Sequence, residues 1–101
     1  MESTIENKLN DIRLLFRKYG AERAFVFGSA AKGQMNADSD VDFLFSFPKD
    51  MDYVQYSDNY FALADALEKL LGKKVDLVAE KTLHNPYLIE SINESKVQLL
   101  W

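Results

Sequence analysis

Helix-type and strand-type hydrophobic patterns alternate along this chain, and this alternation limits its fold to a sheet covered by helices. Apolar residues recur every three or four positions over residues 3–19, which predicts one amphipathic helix. Residues 24–27 form a short β-forming run that stops at a glycine, which predicts a buried strand. In residues 40–47 every odd-numbered position is apolar, which is the two-residue period of a strand.

The same patterns continue to the C-terminus. The further predicted elements are a helical turn at residues 29–32, a long helix between residues 52 and 72, a strand at residues 74–79, a short helix at residues 85–95 and a last strand or tail at residues 97–101. Because the strands differ in direction and alternate with helices, we expect an α/β (α+β) fold, a small mixed β-sheet flanked by helices. With 101 residues, the chain is predicted to form a single domain over positions 1–101.

The chain contains no cysteine, which excludes both a disulfide framework and thiolate chemistry. A domain of this size must therefore be held together by its apolar core. No run of about 18 apolar residues occurs, and the first residues lack the basic start and apolar stretch of a signal peptide. We therefore expect a cytoplasmic protein with no membrane partner.

Negative charge is concentrated in the middle of the chain. The formal net charge is -4 at pH 7, and eight of the 16 acidic residues lie in positions 34–68 together with one basic residue. Because an acidic protein is repelled by the phosphates of a long nucleic acid, we exclude a nucleic-acid polymer as partner. Carboxylates near an apolar strand need solvent or a cation, which is a first indication of a metal site.

A glycine–serine pair follows the first predicted strand. Gly28 and Ser29 leave the strand end and open a helical turn, so backbone N–H groups and the Ser29 hydroxyl can face an anion such as a nucleotide phosphate. Taken alone, such a pair is most often an ordinary turn. Lys32 at the end of the turn fits a phosphate ligand and a plain surface lysine equally well.

Three aspartates in two predicted strands indicate a cation site. Asp40 and Asp42 lie on one strand face with backbones roughly 7 Å apart, so their carboxylates can converge on one or two cations. Magnesium prefers such hard oxygen ligands. Asp76 stands in an apolar strand, where a shared metal would offset the cost of burying its charge. Considered singly, Asp40 and Asp42 fit a solvated strand edge, and Asp76 fits a surface position.

Two further residue groups have simpler interpretations. His84 is the one histidine and precedes a helix cap, so we expect an exposed turn residue rather than a catalyst. Tyr53, Tyr56 and Tyr60 have helical spacing, which favours a core or a partner face over the stacking of a base.

The combined pattern resembles the minimal nucleotidyltransferase (MNT) family of the polymerase-β-like superfamily. The signature of that family is Gly-Ser, ten residues, Asp-x-Asp, and a later strand carrying a third Asp. The matching positions are Gly28, Ser29, Asp40, Asp42 and Asp76. The resemblance covers nearly the whole chain and implies the nucleotidyltransferase fold. A chance match to the first four of these residues is on the order of 10⁻³ per chain of this length.

The resemblance implies a transfer of AMP from ATP to an acceptor hydroxyl, with release of pyrophosphate. Asp40, Asp42 and Asp76 would be the catalytic residues and would hold two Mg²⁺ ions, and Asp76 would also take the proton of the acceptor. The nucleotide-binding residues would be Gly28, Ser29, Lys32 and Ser39. Lys32 departs from the arginine usual in the family, which keeps a point charge but loses the bidentate phosphate geometry.

The resemblance also implies a partner protein. Larger members of the superfamily add domains that hold the base or the acceptor, whereas this chain resembles the antitoxin half of HEPN/MNT toxin–antitoxin pairs, which adenylylate a tyrosine of the HEPN ribonuclease. We therefore expect a HEPN-type toxin as partner, in a hetero-oligomer. The alternatives are a non-catalytic antitoxin or regulator that acts by contact, the catalytic subunit of an aminoglycoside-type nucleotidyltransferase, and an α/β domain with an accidental motif.

Overall fold

A four-stranded mixed sheet with helices on both faces forms the frame of the protein. The computed structural model describes residues 1–100. In chain order the elements are α1 (Ser3–Glu6), α2 (Leu9–Lys18), β1 (Arg23–Phe27), α3 (Gly28–Lys32), β2 (Val41–Ser46), α4 (Tyr53–Leu71), β3 (Val75–Ala79), a 3₁₀ turn (Glu80–Thr82), α5 (Pro86–Ser95) and β4 (Val97–Leu100). The predicted mixed sheet flanked by helices is confirmed. The end of the predicted last strand, residue 101, lies outside the described residues.

The strand order places three strand ends side by side. The sheet runs β3-β2-β1-β4. β1 is antiparallel to both β2 and β4, whereas β2 and β3 are parallel. A parallel pair needs a long crossover connection, and α4 supplies it. As a result, the end of β1 lies beside the starts of β2 and β3, and residues far apart in sequence meet there.

The two faces of the sheet carry separate apolar clusters, because successive side chains of a strand point to opposite faces. The larger cluster packs against α2 and α4, and its fully buried members include Ile12, Phe16, Phe43, Phe45, Leu63 and Leu67. The smaller cluster joins Ile92 of α5 to Phe25, Phe27 and Leu44. Asp42 shares the face of Leu44, so the site lies on the face of the smaller cluster.

The first predicted helix is interrupted. The hydrophobic pattern predicts one helix over residues 3–19, but α1 and α2 are separate helices. The break turns α1 toward α3, where the Glu2 amide donates to the Ala30 carbonyl at 2.8 Å and Ile5 is 1% exposed. These contacts to the rest of the fold outweigh the local helical pattern, because propensity alone contributes only tenths of a kcal/mol per residue.

The longest helix, α4, lies within the predicted range between residues 52 and 72. The Asp52 carboxylate accepts a hydrogen bond from the Gln55 amide at 3.2 Å and caps the N-terminus. Gly72 ends the helix in the left-handed conformation. Neither α4 nor any other helix within residues 1–100 is long and apolar enough to cross a membrane.

Candidate functional site

Five of the predicted site residues lie where β1 ends and where β2 and β3 begin: Gly28, Ser29, Asp40, Asp42 and Asp76. Phe27, the last residue of β1, pairs with Asp42, and Asp42 pairs with Asp76 of β3. Adjacent strands lie about 4.8 Å apart, so the Asp42 and Asp76 side chains are neighbours on one face. Asp40 directly precedes the first residue of β2, and its negative charge acts on Asp42. The fold thus brings the three aspartates and the glycine–serine pair to one end of the sheet.

Gly28 lies against the Asp42 carboxylate. Its φ angle is +70°, in the left-handed region that favours glycine. A Cβ atom added to Gly28 would lie 2.6 Å from Asp42 Oδ2, closer than real Cβ atoms approach other groups. Gly28 therefore makes room for the Asp42 carboxylate, a contact that the motif alone does not reveal.

Asp42 has the most perturbed carboxylate of the site. Burial, followed by the negative charges of Asp76 and Asp40, raises its pKa from 3.8 to about 6. The ion pairs within the described part of the chain join other residues, so no basic side chain neutralises Asp42 there. A half-buried carboxylate that faces two others and lacks a basic partner is suited to bind a cation.

The three carboxylates form an open acidic edge rather than a closed cage. Asp40 and Asp76 are exposed, whereas Asp42 is half-buried. Within residues 1–100, no three acidic or histidine side chains are grouped closely enough to enclose a metal ion by themselves. An open edge leaves coordination positions for water and for oxygen atoms of a ligand.

Ser29 and Lys32 lie on α3, which starts directly after β1 and ends at Lys32, as predicted, with Gly33 as its C-cap. Ser29 is in the first turn and is half-buried at the end of the sheet that holds the aspartates. Lys32 is in the last turn and is exposed. The fold therefore brings Ser29 to the aspartates and leaves Lys32 a helical turn away, in solvent.

The loop before Asp40 is organised by side chains. The Ser39 hydroxyl accepts a hydrogen bond from the Asn36 amide at 3.0 Å, and the Asn36 side chain accepts one from the Asp38 amide at 2.9 Å. Lys73 donates to the Asn36 carbonyl at 3.2 Å, a contact that the sequence did not indicate. The Ser39 hydroxyl thus holds the turn that leads into Asp40, and its contact with a nucleotide stays a prediction.

Ser95, the last residue of α5, is a neighbour of the site that the sequence analysis missed. Its hydroxyl oxygen accepts a hydrogen bond from the Gly28 amide at 3.0 Å. The two residues are 67 positions apart, so no local pattern connects them. The sequence signal is limited to the predicted helix that ends at residue 95.

The histidine and the three tyrosines of α4 differ in their exposure. His84 is exposed in the turn before α5, as predicted. Tyr56 and Tyr60 are half-buried against the larger apolar cluster, whereas Tyr53 is 86% exposed. The Tyr60 hydroxyl donates to the Leu77 carbonyl at 2.8 Å. Burial raises the pKa of this hydroxyl, and the nearby Asp76 carboxylate raises it further.

Comparison with known proteins relates this chain to nucleotidyltransferases. The nucleotidyltransferase domain family matches residues 8–99. A candidate protein adenylyltransferase of Methanocaldococcus jannaschii is 39% identical over 85 residues, which are 84% of this chain and 83% of that protein. A solved structure described as a candidate minimal nucleotidyltransferase is 34% identical, with a TM-score of 0.75 over 96% of this chain and 95% of that one. A toxin–antitoxin structure with AMP-PNP is 25% identical, with a TM-score of 0.71 over 92% of this chain and 72% of that one. This chain therefore belongs to the nucleotidyltransferase domain family.

Proposed function

We propose that this nucleotidyltransferase transfers AMP from ATP to a hydroxyl group of a partner protein, a tyrosine of a HEPN-type toxin, and thereby acts as the antitoxin. The observation that carries the proposal is the meeting of the Gly28-Ser29 pair with Asp42 and Asp76 at one end of the sheet. The similarity to a candidate protein adenylyltransferase and to a toxin–antitoxin structure supports a protein as the acceptor.

The acidic edge fits magnesium. Asp40, Asp42 and Asp76 offer hard oxygen ligands, and Mg²⁺ is usually bound by one or two carboxylates together with substrate phosphates and water rather than by an all-protein cage. The raised pKa of Asp42, about 6, leaves this carboxylate ionised at pH 7 and above. When bound, up to two magnesium ions would neutralise the triphosphate charge and lower the pKa of the acceptor hydroxyl.

The side chains of the protein then have separate tasks. The Ser29 hydroxyl donates to the phosphates that leave, and Lys32 adds a positive charge from the end of α3. Asp76 accepts the proton of the acceptor hydroxyl. The acceptor oxygen attacks the α-phosphorus of ATP in line, so a new O–P bond forms while the bond to the β-phosphate oxygen breaks and pyrophosphate leaves.

A double substitution of the acidic edge tests the enzymatic proposal. We expect Asp40→Ala with Asp42→Ala to abolish magnesium-dependent transfer of labelled AMP from ATP to a purified HEPN-type protein of the same genome. The matched control is Asp50→Ala with Asp58→Ala, which removes the same charge from exposed positions outside the site. Full transfer by the first variant would refute the proposal. Loss of transfer with continued neutralisation of the toxin would favour an antitoxin that acts by contact.

Substitution of the third carboxylate tests the role of Asp76. We expect Asp76→Asn to keep AMP-PNP binding but to lose transfer by about 10²–10⁴-fold, because the acceptor hydroxyl lacks its base. Asp58→Asn is the control for the loss of one exposed negative charge. Binding by calorimetry and transfer by radiolabel separate the two effects. Unchanged turnover of Asp76→Asn would contradict the role of general base.

A further inference from the structure

The C-terminal end of α5 contacts the start of the Gly28-Ser29 segment. The Ser95 hydroxyl oxygen accepts the hydrogen bond of the Gly28 amide at 3.0 Å, and both residues are half-buried. We infer that Ser95 is a positioning residue for nucleotide binding, which acts by fixing the Gly28-Ser29 segment beside Asp42. The inference rests on the proposed function, because it assigns the nucleotide to that segment.

The position of the Gly28 backbone tolerates little change. The first N–H groups of a helix have no partner within the helix, and Gly28 is the first residue of α3. Ser95 supplies the missing partner of its amide. On the other side of Gly28, a Cβ atom would already lie 2.6 Å from Asp42 Oδ2. The segment is thus tied to α5 by a hydrogen bond, and the missing side chain at Gly28 leaves room for the carboxylate of β2.

The fold holds Ser95 in place from both sides. Ile92, one helical turn earlier, is 2% exposed and packs in the smaller cluster with Phe25 and Phe27. Directly after α5, Val97 begins β4 and pairs with Val26 of β1. Ile92 packs against β1 and Val97 pairs with it, and β1 is the strand that continues into Gly28. The hydroxyl is therefore presented to the Gly28 amide by rigid elements.

The Gly28 amide is occupied by Ser95, and the next residue, Ser29, carries the hydroxyl that the proposed function assigns to the phosphates. Loss of the Ser95 hydroxyl would leave the Gly28 amide without its partner, and the segment would turn to satisfy it in another way. Ser29 would then move relative to Asp42, so nucleotide binding would weaken although neither residue is changed.

Binding of AMP-PNP with Mg²⁺, measured by calorimetry, tests the inference. We expect Ser95→Ala to raise Kd about tenfold, the effect of losing one partly buried hydrogen-bond partner. Ser95→Thr keeps the hydroxyl and should bind like the wild type. Ser91→Ala is the matched control, since Ser91 is an exposed serine one turn earlier on α5. In ¹⁵N-labelled protein, hydrogen exchange of the Gly28 amide should accelerate in Ser95→Ala and not in Ser91→Ala.

Two results would contradict the role of Ser95. A Kd of Ser95→Ala within twofold of the wild type, or an equal loss in Ser91→Ala, would overturn the inference. If Ser95→Ala does not fold, Ser95→Cys replaces it, because a thiol is a weaker acceptor of similar size; its Kd should rise about threefold, and a wild-type Kd would overturn the inference. Failure of the wild type to bind AMP-PNP would refute the proposed function and this inference together, whereas wild-type binding with an unaffected Ser95→Ala refutes the inference alone.

Discussion

At the scale of single residues, the ionised carboxylate of Asp42 is suited to bind a cation but lowers the stability of the folded state. Its carboxylate is half-buried, faces two other carboxylates and has a pKa raised from 3.8 to about 6. The folded state therefore binds the proton of Asp42 more tightly than the unfolded chain does. The contribution of Asp42 to the free energy of unfolding falls as the pH rises from about 4 to about 6, and at neutral pH the ionised group opposes folding unless a cation is bound.

Asp42→Asn should therefore raise the melting temperature of the metal-free protein at pH 8, and this gain should shrink toward zero at pH 4, where the native carboxyl is neutral. The measurement is thermal unfolding in a buffer that contains a chelator. Asp58→Asn removes the same charge from an exposed site and should give a small change at both pH values. An equal gain at pH 4 and pH 8 would show that the charge of Asp42 is not the cause.

The close approach of Asp42 to Gly28 predicts that alanine at position 28 lowers the stability more than alanine at another glycine of similar φ angle. Gly28→Ala and Gly72→Ala both place a Cβ atom on a backbone with φ near +70° or +65°, but an alanine at Gly72 meets nothing within 4 Å. Gly72→Ala should cost about 1 kcal/mol of backbone strain. Gly28→Ala should cost more than Gly72→Ala, because the Asp42 carboxylate must move away from the new Cβ atom. Urea unfolding measures both values.

In an Asp42→Ala background the additional cost of Gly28→Ala should disappear, because the clashing oxygen is gone. If Gly28→Ala costs no more than Gly72→Ala in the native background, the close approach to Asp42 does not determine the residue at position 28.

At the scale of elements, side chains occupy three of the polar backbone groups on the outer edge of β3. Three outward-facing backbone groups have partners: the Val75 amide donates to Glu68 at 3.0 Å, the Leu77 carbonyl accepts from Tyr60 at 2.8 Å, and the Ala79 carbonyl accepts from the Thr82 hydroxyl at 2.8 Å. An edge strand with occupied polar groups is a poor template for another strand.

The Tyr60 hydroxyl should therefore contribute to stability, whereas the Tyr56 hydroxyl should not. We expect Tyr60→Phe to lower the free energy of unfolding by about 1 kcal/mol, through loss of the hydrogen bond to Leu77. Tyr56→Phe keeps the aromatic ring that packs against Phe47 and should change the stability by less than about 0.5 kcal/mol. Equal effects in urea unfolding would mean that the hydrogen bond from Tyr60 to the edge of β3 does not stabilise the fold.

At the scale of the whole molecule, one face of the sheet carries most of the apolar core and the other carries the candidate site. The larger cluster under α2 and α4 buries Phe43 and Phe45 completely and stabilises the fold. The other face carries a smaller cluster and the acidic edge. Both ends of the described chain reach the site through α3, since Glu2 contacts Ala30 and Ser95 contacts Gly28. Ligand binding at this edge should therefore stabilise the whole molecule.

AMP-PNP with Mg²⁺ at 100 times its Kd should raise the free energy of unfolding by about 2.7 kcal/mol, because the ligand binds the folded state alone. Thermal unfolding with and without the ligand measures this shift. The shift should vanish in the Asp40→Ala, Asp42→Ala double variant and persist in the Asp50→Ala, Asp58→Ala control. A full shift in the first variant would contradict cation binding at the acidic edge.

The sequence by itself determined the order of the elements and the core of the site. Periodicity, caps and turn residues act over a few positions, so β2, α4 with its stop at Gly72, and the turn closed by Gly33 could all be predicted. The placement of Asp40 and Asp42 on one face follows from the two-residue period of a strand. The apolar neighbours of Asp76 indicate a cation partner for its charge, and the family resemblance assigns Asp76 to the same site.

Only the tertiary structure decided which distant residues meet. The register that pairs Asp42 with Asp76, the hydrogen bond from Gly28 to Ser95 and the break between α1 and α2 all depend on contacts between separate elements. Such contacts are chosen by the packing of the whole core, since no local pattern links residues 67 positions apart. The same reason explains why the sequence identified the residues of the acidic edge but not the serine that holds the neighbouring segment in place.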